Sequence, residues 1–168
     1  MLDSRGRKTH EGVPVSTHSV GIDMIEIERV ARVLAKHPER FIQRVFTPLE
    51  AAFCRGRVPE LAARFAAKEA VMKALGTGAR SVAWRDIEVL PDRRGKPLVY
   101  LHGGAQTRAE VIGLDAIDIS LTHLESFAMA AVVCSQERRE QEPDVARAFL
   151  VERLRARGLL ADDVDIEP

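Results

Sequence analysis

The chain has 168 residues, 46% of them apolar and 30% charged, with 25 basic and 25 acidic side chains. That size suits one globular domain with a short appendage, and zero net charge excludes the global basic field of a nucleic-acid or membrane-surface binder. Cys54 and Cys134 have neither metal-ligand spacing nor a disulfide framework, and no apolar run is long enough for a membrane span, so a reduced, cytoplasmic setting is expected.

Residues 1–17 are polar and aperiodic, carry no secretory signal, and read as a loose arm. "SVGIDMIEI" alternates, with Val20, Ile22 and Met24 on one side and Gly21 and Asp23 on the other, so a strand is predicted. "EIERVARVLAKH" switches to helical spacing, and Pro38 ends it. A short helical turn follows. Thr47-Pro48 then forms a helix-start signal, with a cap and a first-turn proline. A longer helix is predicted from Pro59 to Leu75, stopped by "GTG". "RDIEVLPDRRGKPLVYL" reads as two strands around a turn at Arg94-Gly95. "AQTRAEVIGL" reads as a helix, and "AIDISLTH" with "SFAMAAVVC" as a closing hairpin. Beyond Ser135 a charged linker leads into an amphipathic helix through Val145, Phe149, Leu150 and Leu154. The expected division is an arm at 1–17, a domain at 18–135, and a linker with a helix at 136–168.

The central helix carries the chemistry. Leu61, Phe65, Val71, Met72 and Leu75 form an apolar arc. Glu69 and Lys73 lie outside it, four residues apart, among Ala62, Ala66 and Ala70. The alanines suggest room for a ligand; the plain alternative is an exposed ion pair. Lys68 falls inside the apolar arc, either with a snorkelling stem or as a cation held beneath a site. Gly76-Thr77-Gly78 offers backbone N–H groups to a phosphate, or simply a glycine cap. Asp23, if its strand packs beside this helix, could join Glu69 on one hard cation such as Mg²⁺. Arg29, Arg32 and Lys36 share one face of the first helix, a stripe suited to an acidic partner.

Taken in order and spacing, "GIDMIEIERV", "RVFTPLE", "LAARFAAKEAVMKALGTG", "WRDIEV", "GKPLVYL" and "ISLTH" resemble the holo-[acyl-carrier-protein] synthases, the small AcpS-type 4′-phosphopantetheinyl transferases. The match runs from about Val20 to Val133. The resemblance implies an α+β fold in which a small antiparallel sheet packs with a long central helix, assembled as a homotrimer with active sites between subunits. It implies transfer of 4′-phosphopantetheine from coenzyme A to a serine of an apo-acyl carrier protein, with release of adenosine 3′,5′-bisphosphate.

By position, Asp23 and Glu69 match the family's magnesium-binding acids. Lys73 matches the lysine near the transferred phosphate, and all three match its catalytic set. Gly76, Thr77, Gly78, His123 and Arg64, together with Lys73, match the coenzyme A side, and Arg29 matches a carrier-contacting position. The base that takes the serine proton is Glu69, a magnesium-bound water or Lys73. Met72 stands where some relatives have serine, and the chain extends past the family's compact length at both ends. Two other readings are a specialised transferase for polyketide or peptide synthases and a non-catalytic carrier- or coenzyme-A-binding module. Retention of both acids argues against the latter.

Overall fold

A computed structural model describes residues 17–78, 81–136, 143–162 and 164. They fall into two compact units, within 1–138 and 139–168. The first unit is α+β. Its elements are β1 (Thr17–Glu26), α1 (Ile27–Lys36), α2 (Pro38–Val45), α3 (Pro48–Cys54), α4 (Val58–Ala74), β2 (Ile87–Pro91), β3 (Pro97–Leu101), α5 (Gly103–Ile112), β4 (Leu114–His123) and β5 (Phe127–Gln136). The second unit holds α6 (Pro143–Ala156). The arm and the charged linker lie outside the described residues.

Strands β1, β5 and β4 form an antiparallel sheet in that order, and β2 with β3 forms a separate hairpin. α4 crosses the inner face of the three-stranded sheet. Ala62, Ala66 and Ala70 are fully buried there, as are Ala128, Ala130 and Val132 of β5. The small residues on α4 therefore bring helix and sheet backbones close together. They leave no room for a ligand, which corrects the expectation drawn from the bare sequence. Gly21 marks the closest approach: a Cβ there would lie 1.9 Å from the Ala70 carbonyl oxygen and 2.9 Å from the Ala74 nitrogen. Glycine inside a strand is the usual sign of such an approach.

The opposite face of the sheet is apolar and exposed. Val20, Ile22 and Met24 of β1 and Phe127, Met129 and Val133 of β5 all point outward. Register places Val20 opposite Val133 and Met24 opposite Met129. The alternation of β1 holds, but its small and acidic side faces the helix while its large apolar side faces out.

Behind α4, a buried polar cluster ties α3, α4 and β2 together. Thr47 caps α3: its hydroxyl accepts from the Glu50 N–H, and Glu50 Oε2 accepts from the Thr47 N–H at 2.8 Å. Glu50 also takes the Val89 N–H at 3.0 Å and the Lys68 ammonium at 2.8 Å. Lys68 is fully buried, with no snorkelling, and directs its other two N–H groups to the Trp84 and Ile87 carbonyls. All three ammonium donors are thus matched, which makes a buried lysine tolerable. Burial pushes the Lys68 pKa down, and the Glu50 carboxylate pulls it back.

Candidate active site

The site forms where β1 meets the C-terminal half of α4. The close approach at Gly21 sets the depth, and Asp23, two residues on, shares its face of the strand. Lys73 Nζ donates to Asp23 Oδ1 at 2.9 Å and to the Ile22 carbonyl at 2.7 Å. The expected i,i+4 pair between Glu69 and Lys73 is not formed, because the lysine reaches across to the strand instead. About half of the Lys73 side chain remains exposed, and its third N–H has no partner within the described protein.

Glu69 lies one helical turn before Lys73 and is half-buried. Its Oε1 accepts the indole N–H of Trp84 at 2.5 Å. Trp84 opens a short 3-10 turn (Trp84–Asp86) that leads into β2. Among the described residues no donor reaches Glu69 Oε2 or Asp23 Oδ2. Two hard oxygen donors on facing elements, with no third Asp, Glu, His or Cys beside them among the described residues, fit a cation that fills its shell with water and substrate phosphate.

Gly76-Thr77-Gly78 ends α4 in a Schellman arrangement. Gly76 has φ 69°, its N–H donates to the Lys73 carbonyl, and the Thr77 N–H donates to the Met72 carbonyl. The Thr77 hydroxyl also donates to Met72, and Arg108 from α5 donates to the Leu75 carbonyl at 2.8 Å. The glycine cap is therefore real, and the loop sits one turn beyond Lys73.

Other expected residues lie apart from this cluster. His123 is exposed at the end of β4, with β5 between it and β1, about 10 Å across the sheet by two strand spacings. Arg64 is buried, donates to the Val89 and Glu60 carbonyls, pairs with the Glu60 carboxylate at 3.1 Å, and stacks 4.4 Å over Phe53. Those contacts hold α4 to β2. Arg29, Arg32 and Lys36 are exposed on α1, and Arg32 is 3.8 Å from Glu28. Arg29 borders a shallow apolar groove of Ile25, Val30, Val33, Phe41 and Phe65.

Two contributors escape a reading of the chain alone. Gly21 sets the helix–strand distance, and its signal is a glycine in the middle of a strand pattern. Trp84 holds Glu69 from 15 residues further along the chain; it opens "WRDIEV" and is the sole tryptophan, but neither signal names Glu69 as its partner.

A family model described as the 4′-phosphopantetheinyl transferase superfamily matches residues 19–132. The holo-[acyl-carrier-protein] synthase of Moorella thermoacetica is 45% identical over 124 residues, covering 72% of this chain and 96% of the relative. That of Herpetosiphon aurantiacus is 46% identical over 120 residues, covering 67% and 94%. Among solved structures, Helicobacter pylori holo-[acyl-carrier-protein] synthase in complex with coenzyme A superposes with a TM-score of 0.64 at 28% identity, over 68% of this chain and 98% of that one. The ACPS–CoA complex from Chronobacterium ammoniagenes gives 0.66 at 31% identity, over 73% and 99%.

Proposed function

The chain belongs to the 4′-phosphopantetheinyl transferase superfamily, and from that premise we propose that it is a Mg²⁺-dependent holo-[acyl-carrier-protein] synthase. In this reading it moves the 4′-phosphopantetheine arm of coenzyme A to a serine hydroxyl of an apo-acyl carrier protein and releases adenosine 3′,5′-bisphosphate. The observation that carries the reading is the convergence of Asp23 and Lys73 at 2.9 Å, one helical turn from Glu69. Buried, unpaired Cys54 and Cys134 suit a reducing cytoplasm. Among the described residues, no helix is long and apolar enough to cross a membrane.

Phosphoryl transfer asks a protein mainly for charge neutralisation and in-line positioning. Asp23 and Glu69 would hold the Mg²⁺ ion, which when bound would supply charge neutralisation for the pyrophosphate. Lys73 is anchored by two bonds to β1, and its remaining N–H would be the donor for the non-bridging oxygens of the transferred phosphate. Thr77 and the glycines flanking it carry the coenzyme A side of the site.

The test is direct: mix the protein with coenzyme A, Mg²⁺ and an apo-carrier protein, then weigh the carrier. A mass gain of one phosphopantetheine arm, abolished by EDTA, is expected. Glu69→Gln and Asp23→Asn should each lose ~100-fold or more in rate, the scale of one preorganised electrostatic contact. Near-normal turnover in both would overturn the metal assignment. Binding of the carrier without a mass gain would leave only a binding module.

The carrier docks, in this reading, on the basic face of α1, where Arg29 borders the apolar groove and Arg32 and Lys36 are exposed further along the helix. Charge on such a rim governs encounter more than the chemical step. Arg29→Glu is expected to raise KM for the carrier ~10-fold, with KM for coenzyme A unchanged and the effect shrinking at high salt. A parallel loss of both would mean that α1 itself is damaged.

The same reading makes the enzyme a homotrimer. Support comes from the apolar outer face of the sheet, where Val20, Ile22, Met24, Phe127, Met129 and Val133 are exposed together, the kind of patch that marks an interaction surface. The separation of His123 from Asp23 within one chain points the same way, since a neighbouring subunit could complete the site.

A further inference from the structure

The one tryptophan of the chain lies against a carboxylate assigned to the metal. Its indole N–H has a single donor capacity, and that is directed to Glu69 Oε1 at 2.5 Å. A hydrogen bond on one oxygen restricts rotation of the carboxylate and so biases the direction of the other oxygen, Oε2. The ring is itself held by two neighbours. Arg44 lies with its guanidinium carbon 5.6 Å from the ring centroid, and Phe65 packs 5.9 Å away at a 34° tilt.

The backbone is equally constrained. The Trp84 carbonyl accepts from the buried Lys68 at 2.9 Å. Asp86 closes the turn by accepting from the Ala83 N–H at 3.0 Å and the Gly104 N–H at 3.2 Å. None of these groups does chemistry. Together they form a chain of contacts from the buried Lys68–Glu50 pair, through Trp84, to the carboxylate.

We propose that Trp84 is a positioning residue: its N–H locks the Glu69 carboxylate so that Oε2 faces the divalent cation, and Arg44, Phe65 and Lys68 lock the indole. The proposal rests on Glu69 being a cation ligand. Its physical basis is that groups hydrogen-bonded to a metal ligand fix that ligand's orientation, and removing one typically weakens metal affinity 10- to 100-fold. The ring of phenylalanine would keep the contacts with Arg44 and Phe65 and lose only the N–H.

The experiment titrates Mn²⁺ into the full-length protein in the presence of coenzyme A and counts free Mn²⁺ by electron paramagnetic resonance. For Trp84→Phe the Mn²⁺ dissociation constant should rise about 10- to 100-fold, with kcat at saturating Mn²⁺ within about threefold of the unaltered enzyme. A purely structural role would lower kcat and the melting temperature together and leave the dissociation constant in place, which would overturn the proposal. If Trp84→Phe does not fold, the unaltered protein decides. Its indole fluorescence, excited beyond the tyrosine band, comes from Trp84 alone, so paramagnetic Mn²⁺ should quench it in step with binding, and the absence of quenching at saturation would overturn the proposal. Glu69→Gln separates the two levels. If it loses Mn²⁺ while Trp84→Phe binds as before, only the role of Trp84 fails. If Glu69→Gln itself binds Mn²⁺ normally, the metal assignment beneath it fails.

Discussion

Gly21→Ala is expected to lose ~100-fold or more in transfer rate and about 10 °C in melting temperature. The added methyl carbon would stand 1.9 Å from the Ala70 carbonyl oxygen, 2.8 Å from its carbonyl carbon and 2.9 Å from the Ala74 nitrogen. All three are backbone atoms of a buried helix, so no side chain can swing aside. Ordinary contact requires roughly 3.5 Å, and β1 and α4 must therefore separate by more than ~1 Å. Overpacking of this kind costs about 3 kcal/mol. Activity suffers more than stability, because the same displacement opens the 2.9 Å contact between Lys73 and Asp23. A shift of 1 Å in a reacting constellation is enough for the rate loss. Thermal melts and the carrier mass assay check both figures. A variant that melts and turns over like the parent would show that the helix–strand distance does not set the site.

Val133→Lys is expected to convert a three-subunit particle into single chains, read by sedimentation equilibrium. Val133 lies at one end of the exposed apolar face, on the middle strand of the sheet, between Val20 of β1 and Asp118 of β4. In a trimer closed over that face, three added ammonium groups would enter the interface, each with a desolvation cost of several kcal/mol that Asp118, already paired with Lys96 at 2.8 Å, offsets only in part. The fold should survive, because the side chain of Val133 already points away from α4 and is half exposed in the isolated chain. Circular dichroism would then be unchanged while mass falls and transfer activity falls with it. A monomeric parent enzyme, or a variant still trimeric, would remove the assembly from the proposal. A fully active monomer would place the whole site within one chain and leave His123 without the role that the family resemblance gives it.

Much of this architecture is legible because local rules and tertiary demands agree. The period of 3.6 through Leu61, Val71 and Leu75 marks α4, whose end is set by a glycine adopting φ 69°. Thr47-Pro48 with Glu50 marks the start of α3 down to its reciprocal hydrogen bonds. Asp23, Glu69 and Lys73 are also legible as a group, through residue type and family pattern. Their pairing is not. Spacing along a helix makes Glu69 the natural partner of Lys73, whereas the structure gives the lysine to Asp23 and the glutamate to Trp84.

Those partners come from 50 residues upstream and 15 downstream, beyond the reach of any periodicity. Lys68 shows the same limit. Its place in an apolar arc is visible, but its counter-charge Glu50 and two carbonyl acceptors come from other elements. The alanines mislead for a related reason. Small side chains permit close approach by anything, and only the facing glycine shows that the approaching object is another backbone.

α4 runs so that its final turn, not its first, meets the reacting groups: Lys73 is the penultimate residue of the helix. Aligned peptide dipoles concentrate about half a negative charge at that end. Many phosphate sites use the opposite pole, where free N–H groups welcome an anion. In the proposed reading, the backbone field and two carboxylates would all repel a pyrophosphate before any cation arrives. The orientation of a single helix thus accounts for why an ammonium group and a divalent ion would both be needed at one small site, and why neither alone would reverse the sign of the local potential.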